Sequence, residues 1–456
     1  MQRAFNGDIK LNNEHSIQIQ ESSVTNRRSE QARVVSIRGF LLVLTALFFV
    51  QLSPIAHAFN PFKGVDIKVP TGPKLKLDEE RWVSLGMGYR GTGNWNDMSG
   101  SSPDPKYTTD NARLYVNGQV HKYLKFEFNT ECFNCNSTNG QVLYTVLDAI
   151  GKVEYNRYLN FWGGRMLVPT ERGELSGPFF QATHDAFRTP FFPQDQSAHF
   201  GAGGAGRYGR DDGGTFFGNL EPGFIKGTLG YAGGIYRGAN VNGTAGPEGP
   251  SIAGRITYNF WNPENNPGYY TSSTYFGKAG DILAVAVGSN YQHNGAGSTN
   301  VRSDFLGAVA DVLMEKVLPH NLGVLTVNGE YKRFYAGYDK VAAAADIGTN
   351  PQFGGGCNTC VFAGQSWSVT GLHLLPTKIF IGQLQPYGRY TSIQPDATKN
   401  RTEVEAGVNY IVDGFNGRIS AFWRRGDISS NFANYTPGSA NGIVQNEFRL
   451  AFQIQM

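Results

Sequence analysis

Short segments of alternating apolar and polar residues recur along most of this chain, and they restrict its fold more than any other feature. In FRLAFQIQM at 448–456, one face of an extended strand carries phenylalanine, leucine, isoleucine and methionine, whereas the other carries arginine, alanine and glutamine. Strand segments of this kind occur at 82–90, 111–120, 124–130, 145–155, 159–168, 212–220, 224–237, 251–260, 282–292, 301–315, 323–335, 365–374, 384–391, 401–412, 416–425 and 445–456. The sixteen segments predict an all-β protein.

The connections between these segments alternate in length. Short ones fall at 121–123, 156–158, 221–223, 316–322, 375–383 and 413–415, and long ones fall at 91–110, 131–144, 169–211, 238–250, 336–364 and 426–444. This alternation is typical of a 16-stranded antiparallel transmembrane β-barrel with tight turns at one end and long loops at the other. The link at 261–281 breaks this rule, because it is long although it lies at the end of the barrel that has the short turns. The predicted ends of the two strands beside it are therefore uncertain.

Composition and the N-terminus agree with a secreted barrel. The chain has 58 glycines and 13% aromatic residues, which suits many strands with tight turns and aromatic girdles. Arginines precede an apolar run at 40–50 and a small-residue site at Ala56-His-Ala58, which is the order of a secretory signal peptide. We predict a signal peptide with a long N-terminal extension over 1–58, a periplasmic lead segment over 59–81 and a transmembrane β-barrel over 82–456.

Net charge excludes one class of partner. Without residues 1–58 the chain keeps 34 Lys and Arg against 33 Asp and Glu, a net charge of +1. This balance is not basic enough for a nucleic-acid-binding protein.

The longest connection, at 169–211, differs from the other loops in composition. It carries Pro169, Pro178, Pro190 and Pro193, so it forms neither a strand ladder nor a long helix. It also carries several aromatic residues and charges of both signs, which indicates a segment that packs against other parts of the protein. In a barrel the inner wall is available for that packing.

The strand GGRMLVP at 163–169, the proline-rich loop after it and the glycine-rich strands at 210–218 and 227–238 resemble the phosphate-selective porin O and P family of bacterial outer membranes. The resemblance extends over residues 82–456. It implies a trimeric, sixteen-stranded barrel in the outer membrane whose third loop folds inward. The family usually ends in an aromatic residue, whereas this chain ends in Met456.

Strand alternation also predicts which charges line the pore. The basic candidates outnumber the acidic ones, and the two groups are Arg113, Lys125, Lys152, Lys226, Arg255, Lys332, Arg389, Arg401, Arg418, Arg424 and Arg449, and Glu127, Asp148, Glu154, Glu330, Glu403, Glu405 and Glu447. The candidates for the constriction lie in or beside the long loop, and they are Arg165, Arg172, Arg188, Glu171, Glu174 and Asp185. Charged pore linings select ions by sign, so the basic excess predicts a weak anion preference. Alternatively, these charges only solvate the lumen and brace the wall.

The four cysteines form two spaced pairs, Cys132 with Cys135 and Cys357 with Cys360, and both pairs lie in predicted surface loops. The periplasm is oxidising, so we predict a local disulfide in each loop. One tetrathiolate metal site that joins the loops is the alternative. Neither pair continues into histidine, which disfavours covalent haem, and no cofactor or metal is predicted.

Enzyme motifs are lacking in the sequence, because the histidines occur singly and no serine elbow is present. The sequence therefore predicts a non-enzymatic outer-membrane porin for passive diffusion of small hydrophilic solutes with a weak anion preference. Its predicted partners are outer-membrane lipid, two further copies of the chain and small anions or other small hydrophilic solutes. A specific phosphate or oxyanion channel, a barrel that sheathes an electron-transfer partner and an outer-membrane hydrolase are the alternatives.

Overall fold

The computed structural model describes residues 73–96, 106–132, 135, 144–185, 209–223, 226–238, 249–297, 300–337, 339, 363–396, 400–427 and 444–456. These residues belong to one compact unit, Phe62–Met456. The predicted signal peptide lies outside the described residues. None of the helices in this part of the chain is long and apolar enough to span a membrane.

Sixteen long antiparallel strands form a closed barrel. They are β2 Trp82–Asn96, β3 Lys106–His121, β4 Leu124–Cys132, β5 Tyr144–Glu154, β6 Asn160–Leu167, β7 Arg210–Leu220, β8 Thr228–Tyr236, β9 Ser251–Asn259, β10 Ile282–Gly297, β11 Arg302–Val317, β12 Val324–Ala336, β13 Gly364–Leu374, β15 Gly382–Pro395, β16 Arg401–Asp413, β17 Gly417–Gly426 and β18 Gln445–Gln455. Each pairs with the next along the chain, and β18 pairs with β2, so no edge remains. Two short strands, β1 Lys74–Lys76 and β14 Lys378–Ile379, pair with β2 and β15.

The all-β, sixteen-stranded architecture predicted from the sequence is confirmed, because each predicted segment overlaps one long strand. The first hairpin is longer than predicted. Gly91–Asn94 pair with residues 106–109, so much of the predicted loop 91–110 belongs to β2 and β3. The strand ends beside the link 261–281 are correct to within one residue, since β9 ends at Asn259 and β10 begins at Ile282.

The two faces of the barrel wall differ in polarity. In β18, Phe448, Leu450 and Phe452 are exposed, whereas Gln453 and Gln455 are buried. The same alternation repeats around the barrel, with exposed leucine, isoleucine, valine and aromatic side chains on the outside of the wall. An outer apolar band with a polar inner face is typical of a barrel that crosses a membrane.

Aromatic residues fill the inner face of the wall where β6, β7 and β8 meet. Trp162 is fully buried and packs edge-to-face on Phe217, with ring centroids 5.0 Å apart. Tyr269 and Tyr270, from the connection between β9 and β10, pack on the same indole ring. This cluster ties the β9–β10 connection to the wall.

Cys132 and Cys135 are joined by a disulfide, with their Cα atoms 5.7 Å apart. The bond closes a turn directly after β4, where a local loop disulfide was predicted. Cys357 and Cys360 lie outside the described residues. Within the described part of the chain, no group of three or more His, Cys, Asp and Glu side chains could hold a metal ion.

Candidate functional site

The connection after β6 begins with a stretch, residues 168–185, that is almost completely buried; only Glu174 and Phe180 are partly exposed. It contains one helical turn, α1 Arg172–Ser176. Gly177 follows with φ 57° and ψ −177°, a backbone conformation that is essentially restricted to glycine. The glycine therefore ends α1 and redirects the chain. We call residues 168–185 the loop segment.

The first half of the loop segment is anchored on β11 and β12. The Nζ of Lys332 lies 2.6 Å from Oε2 of Glu171, and the Gly173 backbone N–H donates to Oε2 of Glu330 at 3.1 Å. The Nε of Arg172 donates to Oδ1 of Asp311 at 2.9 Å. All of these polar groups are buried. In each ion pair, the attraction between the two charged groups compensates the hydration that both lose on burial.

Asp311 also forms an ion pair with a second arginine, which belongs to the barrel wall. Arg255 on β9 donates to both carboxylate oxygens of Asp311, at 2.6 and 2.8 Å, and to the carbonyl oxygen of Thr170 at 2.8 Å. Asp311 therefore joins β9, β11 and the loop segment in one buried network.

The second half of the loop segment contacts arginines on β15, β17 and β2. Arg418 donates to the carbonyl oxygen of Gln181 at 2.7 Å, and Arg389 donates to the carbonyl oxygen of Asp185 at 2.6 Å. Arg90 donates to the carbonyl oxygen of His184. Backbone carbonyls thus accept three charged donors within five residues.

Asp185 is the one acidic side chain of the loop segment in this region. Its Oδ2 accepts hydrogen bonds from Arg424 and Arg449, both at 2.9 Å. Both arginines also pair with Glu447 on β18. We call the five arginines around residues 181–185 the arginine cluster: Arg90, Arg389, Arg418, Arg424 and Arg449.

Burial shifts the titration of three side chains in the loop segment. Desolvation, with Arg90 nearby, lowers the pKa of His184 to about 4, so this imidazole is neutral at pH 7. Desolvation raises the pKa of Glu171 against the opposing effect of Lys332, and desolvation together with Glu171 raises the pKa of Glu174.

Most lumen candidates from the sequence lie on the buried face of the wall. Those that are buried are Arg113, Lys152, Arg255, Lys332, Arg389, Arg401, Arg418, Asp148, Glu330, Glu403 and Glu405, and those that are partly exposed on the same strands are Lys125, Arg424, Arg449, Glu127, Glu154 and Glu447. Lys226 differs, because it is an exposed residue of the link before β8 and not part of a strand. It therefore does not line the wall as predicted.

The constriction candidates do not all come together. Arg172, Glu171, Glu174 and Asp185 lie in the loop segment. Arg165 instead lies on β6, opposite Ala149 and Asp212 in the strand register, and its side chain is buried. Its Nη1 lies 3.9 Å from Oδ1 of Asp212. Arg188 lies outside the described residues.

Strand alternation missed several buried charges. Arg90, Arg210, Glu131, Asp211, Asp311 and Glu315 are all buried. With them, the buried side chains that the structure describes include eleven Arg and Lys and ten Asp and Glu, so the predicted basic excess is nearly cancelled. Asp311 and Glu315 share one face of β11, which is the signal that could have identified them.

No protein-family model and no curated protein sequence matches the chain. Its fold is similar to that of the anion-selective porin from Comamonas acidovorans, with a TM-score of 0.52 and 13% identity over 83% of this chain and 100% of that chain. The structure of OmpF of Salmonella typhi in complex with daunomycin has a TM-score of 0.49 and 12% identity, over 84% of this chain and 100% of that chain. The outer membrane channel DcaP of Acinetobacter baumannii has a TM-score of 0.47 and 10% identity, over 85% of this chain and 100% of that chain.

At these sequence identities, the similarity to these structures concerns the fold alone. The first comparison agrees with the closed antiparallel β-barrel fold of this chain. The roles of individual residues follow from the contacts described above.

Proposed function

We propose that this protein is a bacterial outer-membrane porin that forms a water-filled channel for passive diffusion of small hydrophilic solutes. The observation that carries the proposal is the closed barrel with an exposed apolar outer face and a polar, charged inner face. A closed barrel satisfies every strand hydrogen bond without water, which is what the bilayer core requires. Its polar inner face suits a water-filled lumen.

We further propose that the loop segment folds into the barrel and narrows it. This proposal is supported by the positions of its partners, because Asp311 and Lys332 belong to β11 and β12, whereas Arg418, Arg449 and Arg90 belong to β17, β18 and β2. A segment that contacts the inner faces of such distant strands crosses the lumen. The solute size limit would then depend on this segment.

A weak anion preference is our proposal for charge selectivity. The support is local, since the five guanidinium groups of the arginine cluster surround residues 181–185. Asp185, Glu403, Glu405 and Glu447 lie among them and offset most of that charge. The same cluster supports a phosphate or other oxyanion channel as the second candidate, because several convergent arginines suit an oxyanion.

We also propose a homotrimer, with contacts on the side of the barrel formed by β4–β9. These six strands have 8 to 11 residues, whereas β2, β3, β10 and β11 have 15 or 16. Gly151, Gly163 and Gly214 stand side by side on β5, β6 and β7, on the outer face beside Phe161 and Phe216. A low, flat wall of this kind suits close approach of a second copy.

Planar-bilayer recording of the purified protein tests the channel proposal. We expect stepwise conductance increments. In a salt gradient, we expect a small zero-current potential with the sign that an anion-selective channel gives. A variant that lacks residues 178–184 should keep the barrel and conduct more. Failure of this variant to change the conductance would contradict the role of the loop segment and leave the channel itself standing.

A further inference from the structure

The connection between β9 and β10, residues 260–281, is unusual for its end of the barrel. The other described connections at that end have between two and seven residues, as at 122–123 and 221–227, whereas this one has twenty-two. Because antiparallel strands alternate in direction, it starts at the end opposite to the loop segment. Its residues 271–275 are nevertheless completely buried. We call residues 260–281 the turn segment.

The turn segment runs beside the loop segment and is hydrogen-bonded to it. The Thr271 backbone N–H donates to the carbonyl oxygen of Leu175, and the Ser273 backbone N–H donates to the carbonyl oxygen of Phe180 at 3.0 Å. The hydroxyl oxygens of Ser176 and Thr271 are 3.0 Å apart. Two connections from opposite ends of the barrel therefore meet along one seam.

Arg172 closes this seam with an ion pair. Its two terminal nitrogens donate to the two carboxylate oxygens of Glu264, both at 2.7 Å, and one of them also donates to the carbonyl oxygen of Ser272 at 3.0 Å. Its Nε is bound to Asp311 on the wall. A bidentate guanidinium–carboxylate pair is both strong and directional, so Arg172 fixes the turn segment, the loop segment and β11 relative to each other.

The turn segment also has its own anchor on the wall. The Glu315 carboxylate on β11 accepts hydrogen bonds from the backbone N–H groups of Tyr275 and Gly277, at 2.8 and 2.7 Å, and from the Thr274 hydroxyl at 2.7 Å. This anchor does not involve the loop segment. Loss of the Arg172–Glu264 pair would therefore weaken the seam without releasing the root of the turn segment.

A small polar cavity of about 20 Å³ lies where the two segments meet the wall. Gln181 and Thr183 of the loop segment, Ser273 of the turn segment, and Asn328 and Arg389 of the wall line it. The side-chain oxygen of Asn328 and the Nε of Arg389 are buried and have no hydrogen-bond partner among the described residues. The cavity has room for about one water molecule and polar groups to bind it.

We propose that the turn segment is a second constricting element of the channel, and that the Arg172–Glu264 ion pair locks it to the loop segment. This inference rests on the proposed function, since a constriction needs a channel. With the lock closed, both segments obstruct the lumen at the polar cavity. With the lock broken, the seam can separate there and leave a wider passage.

The test uses the substitution Glu264→Gln, which keeps the shape of the side chain and removes its charge. We expect the unit conductance of the channel to rise by about 1.5-fold or more, with noisier open states, because a lumen obstruction has become mobile. Glu221→Gln is the matched control. Glu221 pairs with Arg157 at the same end of the barrel, but both side chains are exposed, so this variant should conduct like the parent protein.

A cysteine pair, Ser176→Cys with Thr271→Cys, makes the test independent of folding effects in the first variant. The two hydroxyl positions are close enough for a disulfide across the seam. In the Glu264→Gln background, the oxidised protein should conduct like the parent and the reduced protein should show the raised conductance. Equal conductance in both states, or cysteines that do not pair in the folded barrel, would overturn the inference. A parent protein with no conductance would instead overturn the proposed function.

Discussion

Arg424 and Asp185 are 239 positions apart in the sequence, yet Nη1 of Arg424 donates to Oδ2 of Asp185 at 2.9 Å. Arg424 lies on β17, and Asp185 lies at the end of the loop segment. Arg449 on β18 binds the same carboxylate oxygen. One carboxylate therefore holds the loop segment to the wall, contacts two arginines of the arginine cluster and offsets one of the five positive charges.

Removal of this carboxylate should increase the anion preference. In Asp185→Asn, Arg424 and Arg449 keep Glu447 as an ion-pair partner, so the arginines should stay in place. We expect the anion-to-cation permeability ratio to rise roughly twofold, because one negative charge is lost at a poorly screened position. Zero-current potentials in a salt gradient measure the ratio.

The exposed Glu221→Gln substitution, remote from the arginine cluster, is the control and should leave this ratio unchanged. A ratio in Asp185→Asn that equals that of the parent protein would show that the arginine cluster does not set the selectivity. A shift toward cations would contradict the proposed electrostatics directly.

Period-two alternation was sufficient to predict the wall of the barrel. It identified all sixteen strands and put Arg389 and Arg418 on the buried face, because the side-chain direction depends only on position along a strand. It could not predict that both arginines donate to backbone carbonyls of the loop segment. Such contacts join parts of the chain more than two hundred residues apart and leave no local pattern.

The turn segment illustrates a second limit. The sequence showed that the link 261–281 was too long for its end of the barrel, and the rule of alternating lengths suggested a fault in the strand ends. The strand ends are correct, and the connection itself is long because it reaches the loop segment, which Glu264 and Thr271 contact.

Gly177 should be necessary for the path of the loop segment. Its φ of 57° and ψ of −177° are poorly accessible to other residues, although there is open space around its Cα. Gly177→Ala should cost about 1–3 kcal/mol in local stability of the loop segment, because the backbone would be strained. The measurements are open-channel noise and the protease sensitivity of the loop segment, both of which should increase.

Gly371→Ala on β13 is the matched control for Gly177→Ala. An added methyl group there also meets open space, and the backbone is an ordinary extended strand, so no effect is expected. If Gly177→Ala and Gly371→Ala behaved alike, the turn at Gly177 would not be what shapes the loop segment.

The flat outer face of β5, β6 and β7 should be required for trimer formation. Gly151→Trp would place a large ring on this face, with only the carbonyl oxygen of Gly163 near the new Cβ. We expect the folded barrel to remain and the trimer to dissociate to monomers, as measured by native mass and by the heat-dependent mobility of the barrel on gels. Gly388→Trp, on the outer face of β15 away from β4–β9, should remain trimeric. A trimeric Gly151→Trp protein would place the interface elsewhere.

Conductance of the purified parent protein in a planar bilayer tests the central claim most directly. A water-filled diffusion channel should give stepwise increments whose size increases in proportion to salt concentration, with a small zero-current potential of the anion sign in a salt gradient. The absence of increments, or a conductance that saturates at low salt, would contradict a passive diffusion porin.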